Sequence, residues 1–249
     1  MHHLSSWRVG LLLLGVVLFC GCAGIAPGRP VQTTPPERAA ETGEKGWWAV
    51  RFQMHWPEDI SPAWHMDTLI AHRVIAPVLA RYREQIELWR FHRRAARDSA
   101  GHQFSFIFYA DVASARLITG ELSDDALAAA LLNSGSVRRI SSDVTLSVTR
   151  PELADTSDPA WSPAVRQAWP FFIDGASRSW LELIEQMAPT GRPAGADMTV
   201  SALQEHYRAI DKQVQEAWET EGQRAFLHHL NAIFGYAPVV VYEKKYMKF

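Results

Sequence analysis

Four arginines, Arg90, Arg93, Arg94 and Arg97, fall within eight residues around Phe91 and His92. A guanidinium presents a planar fork of donors that fits phosphate or carboxylate, so one reading of this run is an anion site. The other is the solvated rim of an edge strand, where charge prevents pairing with a second chain. Trp48, Trp56, Trp64 and Trp89, with Trp47 beside the first, surround the same part of the chain. Exposed, they would form a platform for sugars or lipid head groups; buried, they fill a core. His55, His65 and His72 with Asp67 supply metal-ligating types, and His65 and His72 are seven apart. No H-E-x-x-H accompanies them and Asp67 sits where a helix cap belongs, so no metal site is expected. His228 and His229 are adjacent and point about 100° apart on a helix, which does not suit one ion. The basic end "YEKKYMK" suits anionic lipid or plain solvation. No phosphate loop, G-x-S-x-G elbow or paired carboxylates occur, and no cofactor is expected.

The elements that must position these residues follow from periodicity. "GWWAVRFQMHW" alternates Trp48, Val50, Phe52 and Met54 with smaller or polar residues, which predicts a strand. Residues 65–88 carry apolar side chains at three and four, which predicts a helix kinked or broken at Pro77. "IELWRFHRR" and "HQFSFIFYA" predict a hairpin around the turn "AARDSAG". A short helix from Asp111 to Ile118, a second capped by Ser123 and ended by Gly135, and the strand "SVRRISSDVTLSV" complete the order β, α, β, β, α, β. That order predicts an α+β fold, a ferredoxin-like split β-α-β antiparallel sandwich with a C-terminal helical extension. The extension comprises a helix from Ser162-Pro163 to Met187 bent at Pro170, and the loop "APTGRPAGADM". A long helix over 199–234, bent at Gly222 and ended by Gly235, and a last strand "PVVVYEKKYMKF" follow.

The 249 residues are 47% hydrophobic with 10 Trp, enough for one cysteine-free domain over 47–249, divided into a core at 47–150 and an extension with the final strand at 151–249. Both cysteines, Cys20 and Cys22, lie at the N-terminus. The formal charge is −2, and removing a signal with Arg8 makes it −3, which argues against nucleic acid as partner. The apolar run Val9 to Phe19 is too short for a bilayer core that needs about 20 residues, so 1–21 reads as a signal peptide.

Phe19-Cys20-Gly21-Cys22 resembles the bacterial lipobox, in which the final Cys is acylated and becomes the new amino terminus; Phe19 and Cys20 depart from the commonest residues. The resemblance implies a lipid on Cys22, a membrane held through that lipid as partner, and, with Ala23 next, the outer membrane facing the periplasm. Residues 22–46, rich in Pro, Gly and Thr, read as a flexible tether with a reach on the order of 25 to 30 Å.

The run from Trp48 to about Ile184 is similar to the thiopeptide-type bacteriocin biosynthesis domain, the elimination domain of lantibiotic dehydratases. The likeness rests on Ile75-Ala76-Pro77-Val78, on the aromatic strand from Trp89 to Arg93 or Arg94, and on His102 opening the next strand. Val137-Arg138-Arg139-Ile140 and "FFIDGASRSWLELI" complete it. It implies a lyase whose candidate catalytic residues are Arg93, Arg94, His102, Ser177 and Arg178. Phe104 and Phe106 stand where that family alternates Arg, and Ala176 precedes Ser177 with Asp174 displaced, a pattern of a scaffold that has lost its chemistry.

Two functions are therefore expected. One is a lipid-anchored envelope lipoprotein with a non-enzymatic ligand- or partner-binding domain, whose partner is a protein, peptide or small anionic ligand met through Trp48, Trp56, Trp64, Trp89, Arg90 and Arg97. The other is a lyase-like peptide-modifying enzyme in which Arg93 or Arg94, His102, Ser177 and Arg178 converge around one cleft.

Overall fold

Strand β1 (Lys45–Met54) turns Trp48, Val50, Phe52 and Met54 to one side of the sheet, all buried, and Trp47 and Ala49 to the other. It lies between β3 (His102–Asp111) and β4 (Val137–Ser142), and β2 (Leu88–Ala95) pairs with the far side of β3. Every pairing is antiparallel and the order is β2-β3-β1-β4, the split β-α-β arrangement expected from the element order. The computed structural model describes residues 43–188, 198–236 and 238. Most of the expected loop after Met187 and the expected last strand lie outside the described residues, as do the signal peptide and most of the tether.

The main core forms where the sheet meets helices. Phe104, Phe106 and Phe108 of β3 are fully buried, and Trp48 donates its indole N–H to the Ala110 carbonyl at 2.9 Å, so the largest side chain of β1 is buried without an unpaired donor. The first crossover is α1 (Trp64–Ile70), a π-helical turn (Ala71–Ile75) and α2 (Ala76–Arg81). The interruption expected at Pro77 takes the form of this wide turn, which divides the helix just before the proline. Pro77 lacks an N–H and its ring would press on the Arg73 carbonyl; widening the turn before it removes the clash while the helix continues. The second crossover is α3 (Val112–Ser123), capped by Asp111, and α4 (Ala126–Asn133). The cap of α4 is Asp125, not Ser123, because Asp125 accepts the Ala128 N–H at 2.8 Å and Ser123 still belongs to α3.

Strand β4 stops at Ser142, earlier than its β-branched continuation suggests. The Asp143 carboxylate accepts the Ala49 N–H at 2.6 Å and pairs with Arg51 and Arg150, occupying the ladder position that a further strand residue would use. The chain then folds across the outer face, where Trp47 donates from its backbone to Arg150 and from its indole to Leu153. Gly46 makes this possible, since a Cβ there would meet Val148 Cγ1 at 2.3 Å. A 3-10 turn (Leu153–Thr156) leads on to the helical extension.

Helix α5 (Pro163–Met187) is capped by Ser162 and runs through Pro170 unbroken. Pro170 cannot donate to the Arg166 carbonyl one turn back, and the Ser157 hydroxyl does so instead at 2.8 Å. The helix seals the outer edge of β2: Asp174 accepts the Trp89 N–H and Ser177 accepts the Phe91 N–H, each at 3.0 Å, while Ser177 donates to Ile173 within its own helix. Two strand donors that would otherwise template another chain are thereby satisfied. Helix α6 (Val200–Ala217) packs on α1, a second π-helical turn (Trp218–Gly222) follows, and α7 (Gln223–Ile233) ends near Gly235 at φ 77°. In the π turn a Cβ on Gly222 would come within 2.9 Å of Trp218, so glycine permits the bend there.

Replacing Asp174 and Ser177 with Ala leaves the Trp89 and Phe91 N–H groups buried and unpaired. Each loss is expected to cost about 1 to 3 kcal/mol, read as a lowered urea midpoint with accelerated hydrogen exchange confined to β2.

Candidate functional site

The arginine run divides according to the two-residue period of β2. Arg93 points to the helix side, Arg90 and Arg94 to the outer face, and Arg97 lies beyond the strand with its guanidinium over Trp56, 3.4 Å from the ring centroid. The run is therefore three environments and not one patch.

Arg93 enters a buried ionic cluster. Its Nε donates to Asp67 at 2.9 Å and its Nη2 donates to the Trp64 carbonyl at 3.0 Å, with Asp211 at 3.5 Å. The guanidinium lies between two indoles, 5.2 Å from the Trp64 centroid and 4.7 Å from that of Trp180. Asp67, fully buried, also accepts from His102 Nε2 at 3.0 Å, and His102, itself fully buried, sits edge-on to Trp64. The Nδ1 atom of His102 is buried without a partner. Asp211 is held by Thr68 at 2.6 Å and by Gln215 at 2.9 Å. One cluster thus joins α1, β2, β3 and α6.

Nearby, His72 and Tyr207 meet at 2.6 Å. Burial lowers the pKa of His72 below that of a free imidazole and pushes Tyr207 up to about 12, so both groups stay neutral where they hydrogen-bond. His65 is likewise lowered, first by burial and then by Arg208. Among the described residues no group of three or more His, Cys, Asp or Glu is arranged to hold a metal ion.

Between α5 and the α6–α7 arm lies a groove of about 710 Å³. Its inner end is built from Arg93, Trp180, Leu183 and Val214, and its outer end from Phe172 and Ile233. Val214 is 3% exposed and Ile233 80%, which orients the groove from the ionic cluster to solvent. Helix α7 buries none of its residues, yet its Phe226, Leu227, Leu230 and Ile233 all face this space. An amphipathic helix with an apolar face turned to an open groove leaves that face without cover. Of these groove residues, only Arg93 is an expected binding or catalytic residue. The available signal is apolar spacing on α7 beyond what a helix with no core contact requires.

The other expected site residues fall in separate places. Trp48 and Trp89 are core, 1% and 5% exposed, and not a platform, because the inward alternation of β1 and β2 carries them under the helices. Trp56 and Trp64 are partly exposed, stacked by Arg97 and Arg93 respectively. Arg94 pairs with Asp98 at the hairpin tip, and Arg90 bonds Thr156 with no carboxylate partner among the described residues. Arg90 is lowered to about 10, first by burial and then by Arg150. Asp67 brings Arg93 and His102 together, whereas Ser177 serves the β2 edge and Arg178 pairs with Asp174 beside the Trp89 ring. None of the described cavities is lined by His102 together with Ser177 or Arg178. Cys22 lies outside the described residues. Among the described residues no helix is long and apolar enough to cross a membrane.

Comparison with known protein families, curated proteins and solved structures finds no match to this chain.

Asp67→Ala removes the acceptor shared by Arg93 Nε and His102 Nε2 and leaves a buried imidazole and a part-buried guanidinium without it. The expected loss is about 3 to 5 kcal/mol, measured by chemical denaturation against Glu205→Ala, which removes only an exposed pair with Arg208 and is expected to change stability far less.

Proposed function

We propose that this chain is a lipid-anchored lipoprotein of the bacterial cell envelope whose α+β domain is a binding module, and that its ligand or partner occupies the groove between α5 and the α6–α7 arm. The observation that carries the binding half is that groove: about 710 Å³, apolar along its length, closed at its inner end by the Arg93 cluster and flanked by exposed Phe171, Phe172 and Ile233. Its size lies within the range of small-molecule sites, about 300 to 1,000 Å³, and apolar walls with a few polar groups at one end are the usual composition of such sites. Arg93 Nε and Nη2 are spent on protein acceptors and the Gln215 amide N–H on Asp211, leaving Arg93 Nη1, the Gln215 carbonyl, the Ser179 hydroxyl oxygen and His229 to orient an occupant.

The cluster supports binding in preference to catalysis. His102 is fully buried, its Nε2 is held by Asp67, and it does not line the groove, so it is not placed to act on an occupant there. Arg93 is held by a carboxylate, a carbonyl and two indoles, an arrangement that makes a rigid floor for the groove. The anchoring half rests on the apolar run ending at Cys22 and on the Pro- and Thr-rich stretch after it. Attachment of several acyl chains at one residue gives stable anchoring, where a single chain holds only marginally.

Filling the groove tests the binding half. With 1-anilinonaphthalene-8-sulfonate as probe, the wild-type chain is expected to give a blue-shifted, saturable signal, and Ala176→Phe, a change at an exposed groove position on α5, is expected to weaken it roughly tenfold. Equal binding by both chains removes the groove from the proposal. For the anchor, Cys22→Ala is expected to release the protein from membranes under carbonate washing; retention of the variant would refute lipid attachment at that residue.

A further inference from the structure

The face of the sheet away from the helices is divided. Trp47, Tyr109 and Leu88 form one row across it and are covered by the chain around Leu153, whereas the row at the opposite end is bordered at its middle by the hairpin residues Ser99 and Ala100 and is otherwise uncovered by the described residues. That open row runs Arg94, Gln103, Gln53, Arg139 across β2, β3, β1 and β4 in register. A shallow cavity of about 570 Å³ lies over its Gln103, Gln53 and Arg139 part, with the exposed Arg138 at its margin.

Positive charge is concentrated here although the whole chain has a formal charge of −2. Arg51 and Arg150 share Asp143, and Arg94 is paired with Asp98. Arg90, Arg138 and Arg139 have no carboxylate partner among the described residues. Glu58, beside Arg138 in the adjoining cleft, is the further acid at this margin. The Arg94–Asp98 pair is itself partly exposed, and exposed pairs of this kind exchange partners at little cost.

The polar groups between the two end arginines narrow the anion. Gln53 spends its amide N–H groups on the Ser99 and Ala100 carbonyls, and Gln103 spends one on Ser105. Their side-chain carbonyls accept no hydrogen bond among the described residues and keep that capacity in the middle of the row. Phosphate groups have no N–H to offer such acceptors, whereas a peptide backbone does. No aromatic ring stands on the open row, so the stacking platform that single-stranded nucleic acids use is missing from it.

We infer that this open row is a docking site for an acidic segment of a partner protein, lying extended across the strands with one carboxylate at Arg94 and one at Arg139. Three inter-strand spacings of about 4.8 Å put the two arginines on the order of 14 Å apart, and an extended chain advancing about 3.4 Å per residue covers that in about four. The segment therefore carries acids at positions i and i+4, with backbone N–H groups between them for Gln53 and Gln103. This site is on the opposite side of the sheet from the groove and does not depend on its occupant.

The test uses the full-length chain and acetyl-Glu-Ser-Thr-Ser-Glu-amide, followed by chemical-shift perturbation or calorimetry. The comparators are acetyl-Ser-Glu-Glu-Thr-Ser-amide, of equal charge and composition, and tripolyphosphate. The spaced peptide is expected to bind roughly tenfold more tightly than the adjacent-acid peptide, and Arg94→Gln with Arg139→Gln together to lose that binding by about tenfold or more. Should the double variant not fold, Gln103→Glu, which puts a repelling carboxylate in the centre of the row, is expected to give the same loss. Equal binding of the two peptides, no binding of the spaced peptide, or binding that survives both variants overturns the inference. Tight binding of tripolyphosphate with none of the peptide overturns it in favour of a phosphate ligand.

Discussion

The Asp67 carboxylate, withdrawn entirely from water, is the constraint around which the domain is assembled. A buried carboxylate is tolerated only when its charge and lone pairs are answered. Here Arg93 answers from β2 and His102 from β3, so α1 is held against both strands of the hairpin. Asp211, reached by the other side of the same guanidinium and by Thr68, ties in α6. Elements far apart in the chain are therefore fixed in register by polar contacts that cannot shift without stranding a charge. Apolar packing alone, being non-directional, would not impose that register.

Two consequences follow for the surface. The outer edge of β2 cannot take another strand, because Asp174 and Ser177 of α5 occupy its N–H groups. With α5 pinned to the edge and α6 pinned to α1, the space between them becomes a groove whose floor is the Arg93 guanidinium. The π-helical turn at Trp218–Gly222 then redirects the helix so that the apolar face of α7 borders this space rather than the core. Residues resembling elimination chemistry by type, Ser177 and Arg178, are absorbed into the edge seal. The groove and the outer sheet face differ in character, the first apolar and the second basic.

The same strand feeds both. Arg93 on one side of β2 braces the groove, and Arg94, its neighbour, starts the basic row on the other. Adjacent residues of a strand point to opposite faces, so neighbouring arginines in the sequence enter two different environments in space.

Much of the architecture is legible in the residues themselves. The alternation of Trp48, Val50, Phe52 and Met54, the hairpin around residues 96–101, the cap at Ser162 and the stop at Gly235 all act within a few residues, where local sterics and hydrogen bonding dominate. The order of elements then restricts the sheet to few topologies, and the observed one is the expected one. Tertiary structure decided what the local rules leave open. The fate of Pro77 depended on room for a wide turn, and the end of β4 on which backbone N–H the Asp143 carboxylate would meet. Whether Trp89 was platform or core depended on α5, about eighty residues away in the chain, lying over it. The partnership of Asp67, Arg93, His102 and Asp211 and the groove beside it arise from long-range packing, for which periodicity carries no information.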